Sequence, residues 1–415
     1  MRSVKVLAAA LALGVAACGS DEPGGEAAQS SSEGKTLKIY SSVPLQGASR
    51  TQAEAIVDGA TLALEQAGGK AGPHTIEYES LDDSTAQAGA WTPEAESANA
   101  LKAAQDDATA VYLGTLNSGA AKVSIPILNE AGIPMISPAN TYVGLTSDEP
   151  GSEPGEPGKY YPTGARTYAR VAPLDVKQGS ALVTLMKEDG CTKVAMTNDK
   201  EVYGAGLARV IEMAAKAQGL TLTANDAIDK NASNYRGLAT RAKSDGADCY
   251  VYSGITANNA VQQFKDFAAA LGLDGKLYGP DGICDGLFAS EEEGGIPASL
   301  APQFKCTVPT LSPDAYPPAG QEFFKTYKAK FGKTADPYAI YGYEAMSLAL
   351  DAIERSKTGE RADILEAIFA TKNRESVLGT YSINENGDTS LADYGAYTVQ
   401  DGALKFDQTV KPAAS

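Results

Sequence analysis

The residues of this chain best placed to do chemistry are short polar side chains that follow apolar runs. Asn117-Ser118-Gly119 comes after the run Ala110–Leu113 and opens a helical pattern. The first N–H groups of a helix lack intrahelical partners and converge on an anion. Small residues there admit a ligand to the backbone, and the Ser118 hydroxyl can donate. Thr141 ends P-A-N-T at 138–141, after the next apolar run, with a second hydroxyl. Asp281, in G-P-D-G at 279–282, follows the run Lys276–Tyr278. That is the carboxyl edge of a strand, where open α/β sheets bind ligands. Its carboxylate suits a cation, in a charge-assisted bond worth roughly 1.5–3 kcal/mol. Tyr203 opens Y-G-x-G-L-A at 203–208, with a ring to stack or a hydroxyl to bond. The plainer accounts are that Ser118 and Thr141 cap helices, that Asp281 merely sits in a Pro-Gly turn, and that Tyr203 only packs. Trp91 and Arg50 lie in or after loops leading from strands and receive no role.

The same inventory excludes much. A single histidine, His74, removes most Ser-His-Asp, Cys-His and His-metal chemistry. No G-x-S-x-G elbow and no phosphate-binding G-x-x-x-x-G-K-[ST] loop occurs. Residues 204–209 form a partial G-x-G-x-x-G without its third glycine, which reads as a close-packed turn. Asp82 and Asp83 are adjacent at a strand end and point in different directions. The acidic stretch 147–158 lacks the alternate carboxylates of a calcium loop, and N-E-N-G-D at 384–388 is no stronger as a metal site. Asp+Glu number 52 against 35 Lys+Arg, a net charge of −17. Phosphate backbones repel such a chain, so no nucleic-acid partner is expected. No enzyme, cofactor or metal is expected either.

Four hundred and fifteen residues, 43% of them hydrophobic and 21% charged, suit two or three globular units. Arg2 and Lys5 precede an apolar run from Val6 to Ala17, too short to span a bilayer. Val15-Ala16-Ala17-Cys18 resembles a bacterial lipobox. That reading makes 1–17 a signal peptide, Cys18 the lipidated residue, and the polar stretch to 34 a flexible tether. Two acyl chains there give a stable membrane anchor, with the protein exported and facing the extracytoplasmic side. From Lys35 the chain alternates strands and helices. Strands are expected at 37–43, 76–81, 110–113 and 133–136, with helices at 53–67, 94–105 and 118–130. The pattern restarts after 170: helices at 177–187, around 207–214, 235–243 and 258–270, strands at 193–197, 220–224, 249–253 and 276–278. This alternation argues two lobes of parallel sheet covered on both faces. Residues 147–158 read as a loop, and Asn386-Gly387 as a hairpin-type turn between 380–383 and 394–399. Cys191, Cys249, Cys284 and Cys306 are even in number and allow three pairings.

A set of short motifs then occurs in order: P-L-Q-G at 44–47, D-G at 58–59, L-D-D at 81–83 and L-G-x-x-x-S-G-A at 113–120. They continue with I-P-x-I-S-P-A-N-T at 133–141, Y-G-x-G-L-A at 203–208, G-P-D-G at 279–282 and Y-G-Y-E-A at 341–345. Over 36–405 the chain resembles the branched-chain-amino-acid type of ABC-transporter solute-binding protein. The resemblance implies a type I periplasmic-binding fold, with two Rossmann-like lobes, a ligand cleft and crossovers near 168–174, 307–312 and 377–383. The first lobe is then 35–170 plus 313–376, and the second 171–312 plus 377–415. It implies carboxylate contacts from Asn117, Ser118, the Ala139 backbone and Thr141, a ligand contact from Asn140, an ammonium contact from Asp281, and a second-lobe contact from Tyr203. It implies the disulfides Cys191–Cys249 and Cys284–Cys306, and a monomer that delivers an amino acid to ABC permease subunits. Ile255 departs from the family, standing where a tyrosine often helps hold the ammonium; Thr256 or Asn258 could compensate, or the cargo could be an amide or another small carboxylate. The same fold also serves ligand-sensing lipoproteins that act through a receptor.

Overall fold

The computed structural model describes residues 34–272 and 275–413. The lipobox-like segment, Cys18 and the residues up to 33 lie outside the described residues. Strand Thr36–Val43 is buried along nearly its whole length, and Thr109–Gly114 at every position. Such strands lie inside a parallel sheet with both faces covered. The first sheet runs, edge to edge, Lys70–Ala71, His74–Asp82, Thr36–Val43, Thr109–Gly114, Met135–Ser137 and Tyr168–Arg170. Only the short Lys70–Ala71 strand pairs antiparallel.

The second sheet runs Thr221–Ala227, Lys193–Asn198, Cys249–Ser253, Lys276–Gly279, Phe304–Val308, Tyr394–Gln400 and Ala403–Val410. Its last two strands are antiparallel. The helices are α1 (Arg50–Gln66), α2 (Pro93–Gln105), α3 (Ser118–Glu130), α4 (Asp175–Glu188), α5 (Val202–Gln218) and α6 (Arg236–Ser244). They continue with α7 (Ala260–Leu271), α8 (Gly286–Ala289), α9 (Pro318–Phe331), α10 (Ala339–Ser356) and α11 (Arg361–Phe369).

Two of the sequence motifs mark one helix crossing. A Cβ on Gly59 would lie 2.0 Å from the Ala339 carbonyl oxygen, and one on Gly342 would lie 2.2 Å from that of Ile56. Only glycine lets α1 and α10 approach so closely. That contact brings the late segment carrying α10 back onto the first lobe. In the second lobe the partial G-x-G also proves steric: a Cβ on Gly204 would lie 2.2 Å from Asp199 Oδ1, and one on Gly206 would lie 2.4 Å from the Tyr142 ring.

The structure joins Cys191 to Cys249 and Cys284 to Cys306, with Cα separations of 5.9 and 5.6 Å. Cys249 starts the strand next to Lys193–Asn198, so sheet order brings the first pair together.

One expectation changes. Asn386-Gly387 turns the chain, with one bridge between Ile383 and Thr389, but its flanks do not pair with each other. Gly379–Tyr381 pairs with Arg374–Ser376, and Tyr394–Gln400 with the second sheet. The turn packs instead on the crossover strand, where a Cβ on Gly387 would lie 2.1 Å from the Tyr168 carbonyl. It also delivers Asp388 to the buried Arg170 at 2.8 Å, which is the work of the acid in N-E-N-G-D. The acidic stretch 147–158 is a loop as expected, and it is tied into the fold. Glu156 is buried and accepts the Tyr142 hydroxyl at 2.5 Å, while Arg209 of α5 donates to the Gly151 carbonyl at 2.6 Å.

Candidate ligand-binding site

Two strand-to-helix turns face each other. In the first lobe Asn117 precedes α3 in extended conformation and makes no capping bond; its Oδ1 is buried without a partner. Thr115 Oγ1 fixes the turn by donating to the Asn117 carbonyl at 2.7 Å. Gly119 must be glycine, because a Cβ would lie 2.5 Å from the Trp91 ring. The next turn carries Ala139 and Thr141. The Thr141 hydroxyl is buried and caps no helix. In the second lobe Tyr203 stands in the first turn of α5, and Asp281 follows strand Lys276–Gly279.

Asn117, Ser118, Ala139, Thr141, Tyr203 and Asp281 line one chamber between the lobes, together with Ser49, Gln52, Glu201, Ile255 and Tyr338. Asn140 is the exception. Its side chain is spent on the Thr115 and Leu116 carbonyls, both at 2.9 Å, and on the Tyr168 hydroxyl at 3.1 Å, so it braces the turn that holds the others. The Ala139 N–H is also engaged, to Ser137 Oγ at 3.2 Å.

Asp281 is the centre of the polar contacts. Its Oδ1 accepts the Tyr203 hydroxyl at 2.5 Å and its Oδ2 the Tyr338 hydroxyl at 2.6 Å, while its backbone carbonyl accepts Gln52 Nε2 at 2.8 Å. Burial pushes its carboxyl above the usual range, opposed by the hydroxyls. Asp175 is fully buried at the start of α4; burial and then the Asp281 charge push it well up, with the Thr141 hydroxyl opposing. Glu201 and Asp281 are the charged residues of the lining, and no Lys, Arg or His joins them. The remaining free space is about 20 Å³, enough for one water.

The residues offered as substitutes for the missing tyrosine look elsewhere. Thr256 Oγ1 donates to Asp285 Oδ2 at 2.7 Å, and Asn258 Nδ2 to Asp199 Oδ2 at 2.8 Å and Glu201 Oε1 at 3.0 Å. The hydroxyl at Asp281 comes from Tyr338 instead. Sequence reasoning missed Tyr338, three residues ahead of Y-G-Y-E-A, and also Gln52 and Asp175. Trp91 spans the lobes, its Nε1 donating to Glu201 Oε2 at 3.3 Å. Among the described residues one His/Cys/Asp/Glu group, Cys191, Asp248 and Cys249, is compact enough for a metal. Its sulfurs are joined in a disulfide, and Asp248 accepts the Thr192 and Lys193 N–H groups.

A family model described as periplasmic binding protein matches residues 36–403. The chain belongs to that family. This periplasmic binding protein is 24% identical, over 87% of its length and 91% of the relative's, to the Leu/Ile/Val-binding protein BraC3 of Rhizobium johnstonii. Its fold matches that of the leucine binding protein LivK of Thermotoga maritima, with a TM-score of 0.76, 23% identity, and coverage of 91% of this chain and 99% of that one. It also matches an R. palustris ABC-transporter solute-binding protein solved with benzoate, with a TM-score of 0.73, 21% identity, and coverage of 92% and 98%. Its fold is thus that of a type I periplasmic binding protein. No described helix is long and apolar enough to cross a membrane.

Proposed function

We propose that the protein captures a small ligand, an amino acid, between its lobes and hands it to an ABC importer. The observation that carries this reading is the opposition, across one chamber, of the uncapped α3 N-terminus and the Asp281 carboxylate. An amino acid presents a carboxylate and an ammonium on one carbon, and burying either unpaired is costly. The α3 N–H groups with the Ser118 and Thr141 hydroxyls take the carboxylate; Asp281 takes the ammonium, which displaces the Tyr338 hydroxyl. Because the chamber holds about 20 Å³ of free space, the ligand enters only with the lobes parted. Closure follows from its differential affinity for the closed state. The hinge runs through 168–174, 307–312 and 377–383, with lobes of 35–170 plus 313–376 and 171–312 plus 377–415.

The rest of the assignment follows from the sequence. Residues 1–17 direct export, Cys18 carries the lipid that holds the protein at the membrane's extracytoplasmic face, and 18–34 tether a monomer within reach of the permease. The protein is a carrier and not an enzyme. A second reading, binding of a carboxylate without an ammonium, draws on Ile255 and on the two hydroxyls already on Asp281. A thermal-shift panel of amino acids, amides and small carboxylates decides between them, because a ligand of the folded state raises the melting temperature with dose. Stabilisation by amino acids supports the first reading; stabilisation by ammonium-free acids alone supports the second; no shift with any of them rejects both.

A further inference from the structure

The chamber leaves the ligand's side chain unplaced. Tyr203, Tyr338 and Ile255 are each 6% exposed or less and close its walls. At two points sequence neighbours line it and a second cavity. Ser49 lines the chamber, while its neighbours Ala48 and Arg50 line a second cavity; Ile255 lines the chamber, while Thr256 and Ala257 line the second cavity. This outer cavity, about 690 Å³, takes one wall from each lobe. Its size falls within the roughly 300–1,000 Å³ of small-molecule sites.

Its walls are fixed backbone. A Cβ on Gly47 would lie 1.9 Å from the Gly89 carbonyl, and one on Gly295 would lie 2.3 Å from the Phe288 carbonyl, so both loops are pinned by close approach. The chemistry of the two walls is mixed. Leu45, Ala257 and Leu287 offer apolar surface; Arg50 stands on the first-lobe wall, and Asn259 and Glu293 on the second-lobe wall. The Arg50 side chain is 48% exposed and reaches an acid only at 4.0 Å, Glu54 of its own helix. Glu293 makes no ion pair among the described residues. A purely aliphatic tail would leave these polar groups unused, whereas an extended tail with a polar end would meet apolar sides and a hydrogen-bonding rim.

We infer that the outer cavity between Arg50 and Glu293 is the side-chain subsite, and that the ligand is an α-amino acid with a long side chain ending in a hydrogen-bonding or charged group. The inference rests on the amino-acid reading above. The ligand head occupies the inner chamber and its side chain passes between Ser49 and Ile255 into the outer one.

Calorimetric titration of the full folded chain with glycine, alanine and valine against glutamine, glutamate and arginine tests it. The long polar probes bind at least about tenfold more tightly than the short ones. Ala257→Phe, which fills the outer cavity, removes about tenfold from the long probes and leaves the short ones within about twofold. Arg50→Ala, on an exposed wall where folding is not at risk, lowers affinity for glutamate more than for alanine. Equal affinities for short and long probes, or equal losses for both in each variant, overturn the inference while leaving the amino-acid reading intact. Binding of none of the probes overturns both.

Discussion

The Tyr338 hydroxyl, carried at the start of α10, donates to Asp281 Oδ2 at 2.6 Å. Because α10 packs against α1 of the first lobe and Asp281 follows a second-lobe strand, this bond joins the two jaws. Tyr203 completes it from the second lobe at 2.5 Å. Hydrogen bonds to a charged group contribute about 1.5–3 kcal/mol each. Under the proposed function a ligand ammonium at Asp281 would compete with Tyr338, and the same bond would favour closure of the lobes when no ligand is bound. Tyr338→Phe is expected to enlarge the ligand-free protein in small-angle scattering and to raise its apparent affinity for an amino acid. A radius of gyration equal to that of wild type, with unchanged affinity, would remove Tyr338 from the closing device.

Removing the carboxylate has the opposite effect. Asp281→Ala should weaken binding of an α-amino acid by the same 1.5–3 kcal/mol, about ten- to a hundredfold. Binding of an analogue without the ammonium should change far less. Paired titrations of the two ligands give the answer, and equal losses would place Asp281 outside the ammonium seat.

The buried Arg170 makes a prediction about stability rather than binding. It pairs with Asp388 at 2.8 Å and donates to the Tyr142 carbonyl at 2.8 Å, tying the first crossover strand to the late 384–388 turn. Taking away one partner of a buried pair leaves an uncompensated charge, at about 3–5 kcal/mol. Asp388→Ala should lower the denaturant midpoint accordingly. A shift as small as that of an exposed acid, such as Glu375, would show that the pair is already relaxed by water.

These cases also show where the sequence was legible. Parallel strands buried on both faces announce themselves as apolar runs, so the inner strands up to 276–279 and the helices up to 260–271 were readable to within a few residues. The short strands 70–71 and 168–170, the strands 304–308 and 403–410 and the helices 286–289, 318–331 and 361–369 were not. The glycine motifs at 58–59, 204–206 and 341–345 were visible too, though only the structure shows the backbone and rings they make room for. Ser118, Thr141, Tyr203 and Asp281, proposed from their positions two to five residues after strands, line one chamber in the structure. Tyr338 was not proposed, because it starts a helix far along the chain that reaches the cleft only through the α1–α10 crossing. Asn140 was assigned to the ligand because it stands in the right motif; its amide is spent on Thr115 and Leu116, and no sequence pattern distinguishes a brace from a contact. The 380–399 pairing failed for a related reason: Asn-Gly specifies a turn, but the partners of its flanking strands are set by the crossover and the second sheet.

A last expectation concerns pH and lies away from the cleft. Glu96 of α2 is buried, accepting Ser42 Oγ at 2.5 Å and the Tyr112 hydroxyl at 3.1 Å. Asp83 is buried with no partner on either oxygen. Burial pushes Glu96 up to about 7 against the opposing hydroxyl bonds, and burial, then the Glu96 and Asp82 charges, push Asp83 well up. An acid raised in the folded state binds more protons there than in the unfolded chain. Its stabilisation is complete below the unfolded value and is lost as pH rises through the folded one. For Glu96 the loss runs from about pH 4.5 to about 7. Asp199 and Asp336, each raised to about 7, and Asp285, raised to about 6, add to the same slope. Glu96→Gln takes away one share of it, so the variant gains on wild type as pH rises, by on the order of 3 kcal/mol at pH 8. Denaturant midpoints between pH 4.5 and 8 measure the difference, and parallel profiles for the two proteins would mean that Glu96 keeps an ordinary carboxylate in the folded state.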